Sequence, residues 1–424
     1  MSKIWLCLLW LGILCNKDVL AVDCPANCKC SWVLDSLEVD CSLSGLLEYP
    51  NFDKLPIEHL DLSSNYFVDF PKHLSDIDSL IYLDLSNNQI EYLDANALLG
   101  FDTLRTLILS NNSFTNWLNL NPTEAFRKTG SLKRLSLTGN ILGSFSDQDA
   151  RYLLISQSLS ILALDNCQIS TVGGDILING LPSLERLTLS HNTLSSMKAL
   201  PSTSLRVLEM SNCSLQRVNN VMLAGLPHLE AINLSWNTDL QLGNTAEGII
   251  RSNSLNELDI SYCTLDEIEL RGLPALAILR ARGNMLRSIE LTTFANNTQL
   301  ELIDFSRNSL RFLELEAFSK LKRLTKIDLS YNEIARLDRN LFRSNDVLVS
   351  LNLSHNVMEK FQKIVSNSLR DINLNGCGII AVDVAVFTGL SSVQRLDLSN
   401  NLLRDFPSGM RSESLQKLDL SNCK

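Results

Sequence analysis

The sequence predicts an α/β solenoid in which every repeat adds one short strand to a long parallel sheet. The first observation is the pattern L-x-x-L-x-L-x-x-N-x-L, which recurs sixteen times, starting at Ile57 and last at Leu415, with spacings of 21 to 28 residues. The second is the alternation inside each copy. In "LIYLDLSNNQI", Leu83 and Leu85 point one way and Asp84 the other, as in a strand. The inner face of such a sheet must be buried under the return segments of the repeats.

This pattern resembles the leucine-rich repeat family, specifically its extracellular subclass, from Ile57 to the end of the chain. The resemblance implies a right-handed horseshoe with a concave parallel sheet and an irregular or short-helical convex side. It also implies that the asparagine of each repeat, such as Asn88, forms hydrogen bonds to buried backbone groups of adjacent turns. Losing one of these side chains would leave those groups unpaired, at a cost of about 1–3 kcal/mol.

Residues 1–21 have the features of a secretory signal peptide. Lys3 is followed by an apolar run from Ile4 to Cys15, and the small residues Val19 and Ala21 precede a cleavage point. The run is shorter than the ~20 residues that span a bilayer, and no other stretch approaches that length. We therefore expect a secreted protein, or one on the extracellular face of the plasma membrane, with no membrane insertion within this chain.

Four cysteines, Cys24, Cys28, Cys30 and Cys41, predict an N-terminal cap over residues 22–56. Four cysteines allow three connectivities, and a zinc site is the alternative for so tight a cluster. The secretory signal favours oxidation over zinc binding. The resemblance implies the disulfides Cys24–Cys30 and Cys28–Cys41.

Five further cysteines occupy the position at which other repeats carry asparagine: Cys167, Cys213, Cys263, Cys377 and Cys423. Redox chemistry or pairing between molecules is one interpretation, and replacement of asparagine by a small buried side chain is the other. No two are in neighbouring repeats, so the nearest pair lies ~9.6 Å apart, beyond the ~7 Å reach of a disulfide. We expect five buried free thiols.

The remaining chain, residues 57–424, is interpreted as sixteen repeats, the last of them incomplete and without a C-terminal cap. We therefore expect the sequence to be part of a longer ectodomain.

Composition and motifs argue against several classes of function. The 47 acidic and 37 basic residues give a formal net charge of −10, which disfavours nucleic acid and anionic membrane surfaces as partners. The five histidines are scattered through distant repeats, and no glycine-rich phosphate loop occurs. We expect no enzyme, no cofactor and no metal.

Binding residues should lie on the exposed strand positions and the turns after them. The outward residue of each strand is often acidic, as in Asp259, Asp304 and Asp328. A cation-seeking face is one interpretation of this row, and a structural role is the favoured one. The residue before the repeat asparagine or cysteine is more distinctive, reading Trp236, Tyr262, Gly283, Arg307, Tyr331 and His355 in six successive repeats. Aromatic and arginine side chains are enriched in binding hot spots, although packing between neighbouring repeats is an equal alternative.

Glycans would reduce the surface that a ligand can reach, and five glycosylation sequons occur: Asn111, Asn212, Asn233, Asn296 and Asn352. Asn233 and Asn352 are outward strand residues of the eighth and thirteenth repeats, so glycans there would leave a window over the ninth to twelfth repeats. The window displays Glu257, Asp259, Tyr262, Arg280, Arg282, Asp304, Arg307, Lys326, Asp328 and Tyr331. The predicted ligand-binding residues are Trp236, Tyr262, Arg280, Arg282, Arg307, Lys326 and Tyr331.

The leading hypothesis is a non-catalytic extracellular recognition module that binds a protein ligand, as in a cell-surface receptor or an adhesion ectodomain similar to Toll-like and neuronal leucine-rich repeat proteins. A secreted matrix component or a humoral immune protein is the alternative. The partner is expected to be an extracellular protein or a second copy of the chain in a homophilic dimer.

Overall fold

The computed structural model describes residues 24–34, 36–52, 55–146, 153–194, 197–218, 220–242 and 250–423. The expected signal peptide, residues 1–21, lies outside the described residues.

Twenty-four strands occur in the described residues, and most are three residues long. Their bounds are β1 Lys29–Val33, β2 Ser36–Asp40, β3 Ile57–Asp61, β4 Tyr82–Asp84, β5 Thr106–Ile108, β6 Arg134–Ser136, β7 Ser144–Ser146, β8 Ile161–Ala163, β9 Thr171–Gly173, β10 Arg186–Thr188, β11 Val207–Glu209, β12 Ala231–Asn233, β13 Glu257–Asp259, β14 Ile278–Arg280, β15 Ser288–Ile289, β16 Leu302–Asp304, β17 Phe312–Leu313, β18 Lys326–Asp328, β19 Ser350–Asn352, β20 Lys360–Phe361, β21 Asp371–Asn373, β22 Ala381–Val382, β23 Arg395–Asp397 and β24 Lys417–Asp419.

Eighteen of these strands form one sheet. Strand β2 pairs in parallel with β3, and from β3 onward each turn of the solenoid contributes one strand that pairs in parallel with that of the next turn. In most of the three-residue strands the middle residue, such as Leu258, Leu279 or Ile303, is buried, and its two neighbours face outward. In β24 the middle residue, Leu418, is only half-buried. The predicted fold class, a leucine-rich repeat solenoid with a concave parallel sheet, is confirmed. We number the turns by the sixteen predicted repeats, so that turn 1 carries β3.

The convex side contains little regular structure among the described residues. The helices are α1 (Ile176–Gly180), α2 (Asn220–Ala224) and α3 (Val386–Gly389), and two 3-10 segments cover Lys72–Asp76 and Trp117–Leu120. Three two-stranded parallel pairs, β7–β9, β15–β17 and β20–β22, run beside the main sheet. Short strands and turns therefore make up much of the side on which the sequence predicts short helices.

The repeat asparagines connect successive turns through buried hydrogen bonds. Nδ2 of Asn237 donates to the carbonyl oxygens of Met210 and Leu234, at 2.9 and 2.7 Å. Its Oδ1 accepts from the backbone N–H groups of Cys213 and Leu215, at 2.9 and 3.0 Å. One side chain thus satisfies four backbone groups that have no partner in the strand ladder, which explains why the repeat requires an amide here.

The N-terminal end of the sheet is covered by an antiparallel hairpin, β1 and β2, with β2 joined to β3. The disulfide Cys24–Cys30 joins β1 to the segment before it, and Cys28–Cys41 joins the two residues that flank the hairpin. Both are the pairing that the resemblance implies. Leu37, Val39 and Cys41 are fully or almost fully buried. The hairpin therefore closes the end of the core that the first turn would otherwise expose.

Four of the five repeat cysteines are buried free thiols, whereas Cys423 is only half-buried. Each thiol donates to a backbone carbonyl of the preceding turn, for example Cys213 Sγ to Leu189 O at 3.1 Å. Cys423 does the same, to Leu398 O at 3.3 Å, but no further turn packs over it in the described chain. The expectation of five buried thiols is therefore wrong for Cys423.

The buried thiols are expected to resist alkylation. Burial raises the pKa of Cys167 to about 12 and the pKa of Cys213, Cys263 and Cys377 to about 11. At pH 8 all four therefore remain protonated, and the thiolate is the reactive form. Iodoacetamide should label Cys423 alone in the native protein and all five cysteines in guanidinium, as read by peptide mapping. Rapid native labelling of Cys213 would contradict this prediction.

Candidate binding surface

Every turn of the solenoid places the residue before the repeat asparagine or cysteine in the left-handed region of backbone conformation. The φ angles of these sixteen residues lie between 51° and 78°. This reversal ends each strand and directs the chain toward the convex side. The row is Ser64, Asn87, Asn111, Gly139, Asn166, His191, Asn212, Trp236, Tyr262, Gly283, Arg307, Tyr331, His355, Gly376, Asn400 and Asn422.

The residue types in this row are different in turns 8 to 13. Elsewhere it is mainly asparagine and glycine, the residues that adopt this conformation most readily. In turns 8 to 13 it reads Trp236, Tyr262, Gly283, Arg307, Tyr331 and His355, which we call the aromatic ridge. A bulky side chain in this conformation costs roughly 1–2 kcal/mol. Such strained residues concentrate at functional sites, because stability alone disfavours them.

The first half of the ridge is a stacked pair of rings. Trp236 and Tyr262 lie 4.2 Å apart between ring centroids, with 14° between their planes, and Trp236 remains 54% exposed. The Tyr262 hydroxyl accepts a hydrogen bond from Nε of Arg282 at 2.9 Å, which raises the pKa of Arg282 above its usual value. Gly283 is required beside this ring, because a Cβ there would lie 2.4 Å from two Tyr262 ring atoms.

The second half of the ridge combines a cation with two rings. Cζ of Arg307 lies 4.4 Å from the centroid of the Tyr331 ring, and the other partner of that ring is His355, stacked at 4.2 Å. Tyr331 is 42% exposed and Arg307 is exposed. The rings therefore pack on neighbouring turns, as one interpretation has it, and they still present surface to solvent; their role in binding stays a prediction. His355 is not among the predicted binding residues, and its position in the row is the signal that marks it.

The acidic strand row has a structural role. In ten turns Oδ1 of the outward aspartate or asparagine accepts a hydrogen bond from the backbone N–H two residues later, at 2.8 to 3.1 Å. This contact caps the strand end as the chain enters the left-handed residue. The favoured structural interpretation thus accounts for the row, whose members are Asp61, Asp84, Asn233, Asp259, Asp304, Asp328, Asn352, Asn373, Asp397 and Asp419.

Two other charged residues among the predicted binding residues, Arg280 and Lys326, lie outside the ridge. Arg280 forms an ion pair with Glu257 across neighbouring strands, so part of its charge is compensated. Lys326 is exposed at the start of β18, where it lines a concave cleft together with Asp328 and residues of later strands. The structure therefore brings Trp236, Tyr262 and Arg282 together, and Arg307 with Tyr331, but it leaves Arg280 and Lys326 on separate strand positions.

The five sequons differ in their distance from this surface. Asn233 pairs in register with Asp259, and Asn352 with Asp328, so the two asparagines flank the predicted window on adjacent strands. Asn111 and Asn212 are exposed in the left-handed row, and Asn212 directly precedes Trp236 in it. Asn296 lies on a return segment, where its Nδ2 donates to Arg271 O at 3.0 Å.

Within the described residues, no group of three histidine, cysteine, aspartate or glutamate side chains is placed to hold a metal ion. A helix long and apolar enough to cross a membrane is likewise not found in that part of the chain.

Comparisons with known proteins agree with the geometry. A family model described as leucine rich repeat matches residues 56–114, 274–334 and 367–424. The chain contains leucine-rich repeats and is similar to extracellular proteins of that family. Podocan from Mus musculus is 28% identical over 303 residues, which cover 66% of this chain and 45% of podocan. Toll-like receptor 3 from Boselaphus tragocamelus is 30% identical over 206 residues, covering 44% of this chain and 22% of the receptor.

A solved leucine-rich repeat protein from Leptospira interrogans superposes with a TM-score of 0.56 at 21% identity, covering 88% of this chain and 91% of that one. This similarity concerns the fold. This leucine-rich repeat chain spans less than two thirds of the length of the curated relatives that it matches. The comparisons support an extracellular, non-catalytic protein.

Proposed function

We propose that the chain is the ligand-binding part of a cell-surface receptor or adhesion protein, and that its protein ligand docks on the aromatic ridge. The observation that carries this proposal is the left-handed backbone of Trp236, Tyr262, Arg307, Tyr331 and His355. Asparagine serves the fold at the same position in six other turns, so these bulky residues are not required for folding. Their exposed rings and guanidinium are the groups that most often dominate a protein interface.

The charge of Arg307 and the glycans predicted at Asn233 and Asn352 favour docking on the same surface. Among the described residues, Arg307 has no ion-pair partner, and Tyr262 and Tyr331 carry hydroxyl groups that can bond to a ligand. Glycans at Asn233 and Asn352 would border the window on both sides and direct a partner toward turns 9 to 12. Docking of a second copy of the chain on a lateral or convex surface is the competing arrangement.

A triple substitution tests the ridge: Tyr262→Gly, Arg307→Gly and Tyr331→Gly. Glycine relieves backbone strain and creates no glycosylation sequon, so stability should be retained, while each lost anchor weakens binding by ~2 kcal/mol or more. The tetramerised chain would be applied to cells that each display one extracellular protein, including this chain itself. Binding to the identified partner should fall at least about a hundredfold.

The control variant makes the same change in the row outside the ridge: Asn87→Gly, Asn166→Gly and Asn400→Gly. It should bind as the unmodified chain does. Undiminished binding by a folded ridge variant would reject the ridge as the docking surface.

A matrix or humoral protein is the second candidate, and the similarity to podocan favours the matrix form. Such a protein would use the same surface, but it would not be attached to a membrane by a segment beyond residue 424. The sequence of the full-length transcript distinguishes the two candidates, since a membrane anchor encoded after this chain would support the receptor.

A further inference from the structure

We propose that a cleft between the return segments of turns 12 and 13 binds a sulfated polysaccharide. The cleft has a volume of about 420 Å³. Three basic residues line it, Arg339 and Arg343 from turn 12 and Lys363 from turn 13. It lies outside the concave sheet that carries the aromatic ridge.

The charged residues that line the cleft are all basic. No carboxylate is among its lining residues, although the whole chain has a formal net charge of −10. Elsewhere in the described residues, arginines on neighbouring turns are commonly paired with acids, as in Arg186 with Glu209 and Arg323 with Glu301. The three basic residues of the cleft have no ion-pair partner in the described part of the chain. Three like charges in one cleft repel each other, and a bound anion would relieve that repulsion.

Backbone contacts make the floor of the cleft rigid. The N–H of Val365 donates to Arg339 O at 2.7 Å, which joins the two turns, and the N–H of Ser366 donates to Gly389 O at 2.8 Å. Gly389 has no Cβ, and one would lie 2.1 Å from Ile364 O. The turns are therefore in close contact under the basic side chains, so the spacing of the backbone segments that carry them is set before a ligand arrives.

The remaining lining residues indicate a sugar rather than a peptide. Asn340 and Asn367 offer amide groups to sugar hydroxyls, Ser366 is buried in the floor, and Val365 is the one apolar side chain that lines the cleft. A peptide interface of this size would normally contain an aromatic or aliphatic anchor pocket. Guanidinium groups bind tetrahedral oxyanions in a bidentate manner, which suits sulfate esters. Because the protein is extracellular, a sulfated glycosaminoglycan is the polyanion of matching chemistry.

The test uses a heparin-derived octasaccharide and its desulfated counterpart in a binding titration with the whole chain. The sulfated sugar should bind with an affinity that falls as salt is added, and the desulfated sugar should not bind. The variant Arg339→Gln, Arg343→Gln and Lys363→Gln should weaken binding at least about tenfold. A control with the same loss of charge, Lys128→Gln, Lys133→Gln and Arg206→Gln, should change binding less than about twofold.

A second measurement needs no variant of the cleft. In the unmodified chain the octasaccharide should slow acetylation of Lys363 and leave that of Lys128 unchanged. Equal binding by both sugars, equal affinity of the two triple variants, or equally tight binding of a polyglutamate peptide would each overturn the assignment. The variant Tyr262→Gly, Arg307→Gly and Tyr331→Gly should bind the octasaccharide normally, so failure of either proposal leaves the other testable.

Discussion

Replacement of Gly272 by alanine is expected to lower the free energy of unfolding by about 3 kcal/mol, the upper part of the range for overpacking. A Cβ on Gly272 would lie 1.9 Å from the carbonyl oxygen of Ile250, on the return segment of the preceding turn. The obstacle is backbone rather than a mobile side chain, so the two turns must separate. Their contact includes the hydrogen bond from the N–H of Ser252 to Gly272 O at 3.0 Å.

Gly130→Ala is the matched control, because nothing lies within 4 Å of a Cβ built there. Its effect should be small or slightly stabilising, since alanine reduces the freedom of the unfolded chain. Urea denaturation followed by circular dichroism compares the two variants. Equal midpoints would show that the turns adjust to the added methyl group and would contradict the prediction.

Removal of the disulfide Cys28–Cys41 by Cys28→Ser and Cys41→Ser is expected to cost ~2–5 kcal/mol, in the range of native disulfides in small secreted domains. The two cysteines are separated by 13 residues in sequence, and the bond between them spans the capping hairpin. Because each turn contacts only its neighbours, the loss should be local. Hydrogen exchange should accelerate in β2 and β3 and remain unchanged in β18.

Hydrogen exchange in β18 is measured in the same sample as exchange in β2 and β3, so it serves as a control for general damage to the protein. Equal protection of β2 and β3 in the variant and the unmodified chain would mean that the hairpin is held without its disulfide. Uniform acceleration along the sheet would contradict the local nature of the effect.

The hydrophobic pattern was sufficient to predict the strands, because a period of two separates inward Leu258 from outward Asp259 without knowledge of any neighbour. The role of the repeat asparagine came from the family resemblance. Cys423 shows where position alone fails, since the burial of a thiol depends on the turn that packs over it.

The conformation of the ridge is less accessible to sequence reasoning. An aromatic residue such as Tyr262 does not favour a positive φ, so the residue type alone does not predict the backbone angle at this position. The signal lies in the equivalent positions of other turns, which are mostly asparagine and glycine. The ion pair of Arg280 with Glu257 and the stacking of Tyr331 on His355 depend on side-chain rotamers across turns, which repeat spacing does not determine.

The left-handed row also bears on how this protein could change during evolution. Each row residue is exposed or half-exposed, and the turn around it is held by the strand cap and the repeat asparagine rather than by its own side chain. Substitution there alters recognition without repacking the core, and asparagine is a neutral state wherever the neighbouring row residue leaves room, unlike at Gly283 beside Tyr262. The solenoid thus carries sixteen sites for mutation, spaced ~4.8 Å apart along the sheet and coupled only to their neighbours in the row. New specificities can arise one turn at a time while the fold stays above its stability threshold.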